Sequence, residues 1–311
     1  METLVASLNT VLYMLLVMVL GRWVVGRLPE RDTVVAQLNR LVFSMFLPFM
    51  VFQNIYTTDI KSAFDGRLLV YLLTVLCAMW LLLMVLAPKW VQHWPTCGTF
   101  IQCAIRSNSI IFGIPLISGL FAGQELGCPT LVAAVTTIFF NVIGVITLEV
   151  YRGKAPDLRQ IGKNLVKNPV LTASIAALFL ALLELRLPAS VEKAVGTMAG
   201  MASPMGLLLI GASLRLGVGQ RTGALLGCLL LRLAVIPAIG VSGAVLLGWR
   251  GMELCTGLMV LATPTSVSAY SMAQMMGGNG TFAANQVGLS SVLGAVTVFF
   301  WILALGGLQL L

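Results

Sequence analysis

Apolar runs long enough to cross a membrane recur along the whole 311-residue chain. A helix of about 20 apolar residues spans the roughly 30 Å hydrocarbon core of a bilayer. Composition agrees, because 59% of the residues are hydrophobic and 10% are charged, whereas soluble domains average about 25% charged residues. We therefore predict an all-α polytopic membrane protein embedded in the lipid bilayer.

The runs and the turn residues between them predict ten transmembrane helices, called spans 1 to 10. One boundary is marked by Asn168, a capping residue that precedes Pro169 in "KNPV". The predicted limits are residues 4–25, 34–55, 68–86, 98–121, 130–150, 169–187, 195–214, 223–247, 254–276 and 281–308.

Basic residues are distributed unequally between the loops. The loops after the odd-numbered spans contain 11 lysines and arginines, whereas those after the even-numbered spans contain five. Because cytoplasmic loops are enriched in basic residues, we predict a multi-pass protein of the cell (plasma) membrane with both termini extracytoplasmic. The net charge of +8 is then explained by these loops, without a nucleic-acid partner.

The sequence lacks the residue clusters that catalysis or metal binding requires. The six cysteines form no CxxC pair, and His93 is the only histidine. No paired acids and no Ser–His arrangement occur within the spans. We expect no cofactor, no metal and no enzymatic activity.

The two halves of the chain carry prolines at corresponding places. Spans 2 and 7 contain Pro48 and Pro204, and spans 4 and 9 contain Pro115 and Pro264. Chance spacing is the alternative explanation. With five spans in each half, the second half inserts upside down relative to the first, as in many secondary transporters.

The predicted fold is therefore two inverted five-helix repeats with broken, crossing helices in spans 4 and 9. The first repeat covers residues 1–150 and the second covers 169–311. A basic cytoplasmic linker, 151–168, joins them.

Span 4 contains residues that disfavour an uninterrupted helix, in the stretch "RSNSIIFGIPLISGLF" (106–121). Asn108 lies ten residues into the span, or about 15 Å deep, near the membrane centre. Pro115 cannot donate a backbone hydrogen bond and disfavours helix at the residue before it. We predict that 108–115 is unwound, and that Pro264 in "LATPTSVSAYSMAQ" breaks span 9 at the same depth.

Two broken helices at the midplane favour a binding site. The N-terminal end of a half-helix offers free N–H groups and about half a positive charge, which suits an anion. The alternative is that the prolines only kink the spans and that Asn108 bonds neighbouring helices together.

Several motifs resemble the auxin efflux carrier family, which includes bacterial members and the plant PIN carriers. "NSIIFGIPLISGLF" is similar to the fourth helix of that family, with an asparagine seven residues before the proline. Similar stretches for the second, seventh and ninth helices are "LNRLVFSMFLPFMVFQNI", "SPMGLLLIGASL" and "LATPTSVSAYSMAQMMGGN". Plant carriers place an Asp and a Lys in helix 3, and span 3 here has neither.

The resemblance implies a scaffold of spans 1, 2, 6 and 7, a homodimer formed through it, and a moving unit of spans 3–5 and 8–10. It implies transport of a small organic anion: auxin in plants, and malonate, malate or similar carboxylates in bacteria. Asn108 would contact the substrate, and Pro115 and Pro264 would form the crossover. The predicted substrate-binding residues are Asn108, Pro115, Pro264, Thr263, Thr265, Arg106, Gly113 and Pro48.

Two intramembrane arginines have open roles at this stage. Arg106 either supplies charge to a carboxylate or bonds a carbonyl group. Arg232 has no obvious acidic partner, although Glu149 is predicted on the same side of the membrane.

The favoured function is an elevator-type secondary transporter of a carboxylate, auxin-like or dicarboxylate. The alternative is a sodium-coupled symporter of the bile-acid-transporter type, which would require clustered oxygen ligands. Sodium dependence of uptake separates the two, and a channel is distinguished by flux that does not saturate.

The predicted orientation is testable by labelling single cysteines in intact cells. An impermeant thiol reagent should label Asp59→Cys from outside and should leave Lys163→Cys unlabelled until the cells are permeabilised. Labelling of position 163 from outside would overturn the orientation.

Overall fold

The computed structural model describes residues 2–57, 66–121, 123–124, 126–152, 167–213 and 222–311. These residues form helices joined by short connections, with no β-strand. The helices are α1 (Glu2–Val24), α2 (Arg31–Tyr56), α3 (Gly66–Trp90), α4a (Trp94–Ile105), α4b (Ile114–Leu120), α5 (Gly127–Val150), α6 (Pro169–Leu182), α7 (Ala189–Ser213), α8 (Thr222–Leu246), α9a (Gly251–Ala262), α9b (Val267–Met275) and α10 (Gly280–Gly307).

Six of these helices are long and apolar enough to cross a membrane unaided: α2, α3, α5, α7, α8 and α10. Spans 4 and 9 are each divided into two shorter helices. Span 6 is shorter than predicted, since α6 ends at Leu182 and not at residue 187. The chain is thus an all-helical, multi-pass membrane protein. The predicted linker lies mostly outside the described residues.

Side chains cap helices where the sequence predicts an end. The side-chain oxygen of Asn168 accepts hydrogen bonds from the N–H groups of Val170 and Leu171 at the start of α6, as predicted. Asn279 caps α10 in the same way by accepting from Phe282 N–H. Each cap satisfies donors that the first helical turn cannot pair internally.

Prolines widen helical turns more often than they break helices. Widened π-type turns over Val42–Phe46, Ser109–Gly113 and Leu231–Val235 each end just before a proline. A proline ring crowds the carbonyl four residues earlier, and a wider turn relieves that contact. Helices α2 and α7 continue through the matched prolines Pro48 and Pro204.

One set of helices packs around α7. Helix α7 lies along α1 and α2, and α2 lies along α6. Gly21 of α1 and Gly211 of α7 bring two backbones into contact, because a Cβ at either position would collide with a carbonyl of the facing helix. At the far end of α2, the Tyr56 hydroxyl accepts from Leu187 N–H and donates to Glu192.

The interrupted helices lie in the protein interior. Every residue of α4a from Thr96 to Ile105 is buried, and so is every residue of α9a from Leu254 to Ala262. Helices α3, α5 and α8 pack against them. Non-helical backbone at membrane depth requires such cover, because lipid offers no hydrogen-bond partners.

Candidate functional site

The interruptions of spans 4 and 9 lie side by side and pair with each other. Ser107 and Thr265 form an antiparallel bridge. Asn108 N–H donates to Pro264 O over 2.9 Å, and Ser266 N–H donates to Arg106 O over 3.3 Å. Each interruption therefore satisfies backbone groups that the other leaves free.

The place where residues 106–108 and 263–266 pair is called the joint of α4a and α9a. Hydroxyl side chains satisfy further backbone groups there. Thr265 Oγ1 donates to Cys103 O over 2.9 Å, and Thr263 Oγ1 donates to Met259 O over 2.8 Å. From α10, Ser290 Oγ accepts the Thr265 N–H over 3.1 Å. These bonds satisfy polar backbone groups from within the protein.

Arg232 of α8 lies fully buried between the ends of two half-helices. Its guanidinium donates to Thr263 O over 2.8 Å, Val260 O over 3.0 Å and Ile105 O over 2.9 Å, with a longer contact to Ala104 O. These oxygens belong to the C-terminal ends of α4a and α9a. Glu149 does not meet Arg232 and instead pairs with Arg152.

Arg106 follows the last residue of α4a and is only 4% exposed. Its guanidinium donates to Ser268 Oγ over 3.0 Å, to Phe140 O over 3.1 Å and to the side-chain oxygen of Asn141. It also contacts Met272 Sδ. Among the described residues, all of these partners are neutral, so its charge is held by dipoles and not by a carboxylate.

A cavity lies beside the paired interruptions, between them and helices α2, α5 and α7. Its polar side is formed by the interruptions, and its apolar side by α2. The lining residues are Leu47, Met50, Val51, Asn54, Arg106, Ser107, Asn108, Ser109, Ile110, Thr137, Phe140, Ala202, Ser203, Ser266, Val267 and Ser268.

Asn108 places an unused donor in this cavity wall. Its side chain is 3% exposed, and its Nδ2 has no hydrogen-bond partner among the described residues. A buried, unpaired amide costs on the order of 1–3 kcal/mol. A ligand acceptor in the cavity would recover that free energy.

Comparison with known proteins identifies the family of the chain. Residues 6–302 match the family model described as membrane transport protein. The chain belongs to this family. The resemblance to auxin efflux carriers is thereby confirmed at the level of the family. An uncharacterized transporter of Methanothermobacter thermautotrophicus is 24% identical over 307 residues, which cover 95% of this chain and 97% of the relative.

The structure of this membrane transport protein brings two of the predicted site residues, Arg106 and Asn108, into the cavity wall. Thr263 and Thr265 are buried behind it, and their hydroxyls bond backbone carbonyls. Pro264 contributes its carbonyl to the pairing, and its ring faces Gly294 of α10.

Two other predicted residues, Gly113 and Pro48, lie away from the lining. Gly113 lets the chain approach Met259 of α9a, where a Cβ would collide. Pro48 lies in α2 next to Leu47, which does line the cavity. Pro115 lies in the first turn of α4b.

The predicted unwound stretch is a second correction. Residues 106–108 are non-helical, but 109–113 form a widened turn that leads directly into α4b. The π-type turn accommodates Pro115, so the backbone does not need to unwind over 108–115.

Serine residues of the site were missed at the sequence level. Ser203, Ser266 and Ser268 line the cavity, and each lies within two residues of a residue or motif that the sequence had singled out. A hydroxyl beside a proline or an interruption in an apolar span is the signal that would have found them.

The joint predicts different consequences for two adjacent serines of α10. Ser290→Ala should lower the melting temperature by roughly 2–6 °C, because Thr265 N–H would lose its partner. Ser291→Ala is the matched control, since its hydroxyl donates only to Val287 O in its own helix. Equal melting temperatures of the two variants in detergent would contradict the assigned role of Ser290.

Proposed function

We propose that this transporter carries a small organic anion, a carboxylate, across the cell membrane by elevator-type alternating access. The observation that supports this most is the electrostatic character of the cavity. The guanidinium of Arg106 lines it and contacts only neutral acceptors among the described residues. A cavity with one uncompensated positive charge in its wall favours a negatively charged ligand.

The helix ends add to this preference. The turn that begins at Ser109 and the helix α9b that begins at Val267 both have their N-terminal ends at the cavity. First-turn N–H groups have no intrahelical acceptor, and each helix end carries about half a positive charge. An anion in this cavity would therefore meet two helix N-termini as well as Arg106.

Asn108 supplies a donor that binds without holding the ligand permanently. Its free Nδ2 can donate to a carboxylate oxygen. A neutral donor contributes less than a second charged group would, which suits a carrier that must also release its ligand. The apolar side formed by Leu47, Met50 and Val51 accommodates the carbon skeleton of an organic anion.

We propose that the fold is ten spans in two inverted repeats, 1–150 and 169–311, with both termini extracytoplasmic. In this proposal α1, α2, α6 and α7 are a scaffold that forms a homodimer, and spans 3–5 and 8–10 move. The proposed scaffold is supported by helix packing, because α7 packs against α1 and α2, and α2 packs against α6. The cavity lies where the two groups meet.

Polar contacts between the two groups support an alternating mechanism. Asn39 Nδ2 donates to Ser271 O, Ser213 bonds Tyr270, and Asn141 Nδ2 donates to Ser174 Oγ. These contacts lie between the cavity and the cytoplasmic ends proposed for the helices, so the cavity would face outward. Inward opening would break all three contacts and expose the same cavity from the other side.

Replacement of Asn108 tests the proposed site. Asn108→Ala should weaken binding of the cognate carboxylate roughly ten- to a hundredfold, because a hydrogen bond to a charged ligand contributes about 1.5–3 kcal/mol. Ligands are first found by measuring the melting temperature of purified protein with malonate, malate and indole-3-acetate. Wild-type affinity in the variant would remove Asn108 from the site.

A charge substitution next to Arg106 tests the electrostatic argument. Asn141→Asp places a carboxylate on the same guanidinium, so anion binding should weaken roughly tenfold or more while the protein stays folded. Ser174→Ala is the control, because it removes the other partner of Asn141 without changing the charge. Unchanged anion affinity in Asn141→Asp would show that the charge of Arg106 does not act on the ligand.

A further inference from the structure

We propose that Arg232 is a built-in cation at the joint of α4a and α9a and takes the place of an exchangeable metal ion there. In many carriers, carbonyl groups at the C-terminal ends of broken helices coordinate the ion whose transport is coupled to that of the substrate, such as sodium. Here the guanidinium of Arg232 already occupies those carbonyls.

The geometry distributes one guanidinium over two helix ends. Nε donates to Thr263 O, one terminal nitrogen to Val260 O and the other to Ile105 O. Arginine has five N–H donors in a planar arrangement, so it can reach carbonyls from two chains at once. Lysine, with a single nitrogen, cannot cover the same spread of acceptors.

Charge balance explains why an arginine is stable here without a carboxylate. Its side chain is fully buried, and its acceptors among the described residues are backbone oxygens only. Each helix C-terminus carries about half a negative charge, so two of them offset about one positive charge. A neutral side chain would leave both ends uncompensated in a region that excludes water.

The same contacts make Arg232 a positioning residue for the anion cavity. Ile105 directly precedes Arg106, and Thr263 directly precedes Pro264, whose carbonyl accepts the Asn108 N–H. By holding these two ends to α8, Arg232 fixes the register of the paired interruptions. Arg106 and Asn108 are thereby presented to the cavity, although Arg232 itself does not line it.

Two consequences follow for the protein as a whole. A sodium ion would have to displace a covalently attached cation to reach these carbonyls, so sodium should not bind at the joint. Removing the guanidinium should create a vacancy that a free guanidinium ion can fill. Only the transport part of this inference rests on the proposed function, because the cation site is defined by backbone oxygens.

The first test measures melting temperature in detergent, which needs no substrate. Arg232→Ala should melt roughly 5–10 °C below wild type, because several buried carbonyls lose their donor. Millimolar guanidinium chloride should restore much of that loss, whereas the same concentration of choline chloride should not. Arg250→Ala is the matched control, since Arg250 also donates to backbone carbonyls, those of Val245 and Trp249, but is exposed.

A second pair of variants keeps the test decisive if Arg232→Ala does not fold. Arg232→Lys retains the positive charge, and Arg232→Gln retains donors without charge. If the joint needs a cation, the lysine variant should melt above the glutamine variant. A glutamine variant at least as stable as the lysine variant would overturn the proposal.

Sodium provides the third comparison. Wild-type protein should melt at the same temperature in sodium chloride and in choline chloride, and its uptake of whichever carboxylate the binding screen identifies should not require sodium. A melting temperature that rises with sodium but not with choline would overturn the proposal, as would failure of guanidinium to act on Arg232→Ala. Absence of carboxylate uptake, with these melting results intact, would count against the proposed function alone.

Discussion

The structure depends on one constraint: backbone N–H and C=O groups inside a membrane must find partners within the protein. Spans 4 and 9 both stop being helical at depth, and each break would be costly alone. Together they form an antiparallel pair through Ser107 and Thr265. Arg232 and Ser290 bond backbone groups that this pairing leaves free. The interruption of one span is stable because the other span is interrupted beside it.

This arrangement separates charge along the two broken helices. The C-terminal ends of the first halves, α4a and α9a, contact Arg232, whose positive charge offsets the negative ends of the helix dipoles. The N-terminal ends of the second halves, the turn that begins at Ser109 and helix α9b, lie at the cavity. There Arg106 adds a positive charge that is hydrogen-bonded to neutral groups. The two arginines therefore have different consequences. One stabilises the ends of α4a and α9a, and the other gives the cavity wall a positive charge.

Prolines had a smaller effect than their number in the spans suggests. The helices continue through Pro48, Pro115 and Pro237, each of which follows a wider turn. The real breaks occur at 106–108 and 263–266, where residues of the other span supply hydrogen bonds. Proline alone therefore does not interrupt these spans, and the interrupted backbone is partnered by the other span. This explains why Asn108 reaches the cavity and why Pro48 only borders its lining.

The sequence by itself determined the membrane-embedded helical class and the family, because apolar run length and the Asn108–Pro115 spacing are local properties. It also drew attention to Arg106 and Asn108, since polar groups are costly among apolar neighbours. Only the tertiary structure decided that the hydroxyls of Thr263 and Thr265 donate to backbone carbonyls, that Ser203 of α7 lines the cavity, and that Arg232 bonds the ends of two helices. Those outcomes depend on contacts between residues up to 162 positions apart, which local sequence patterns do not encode.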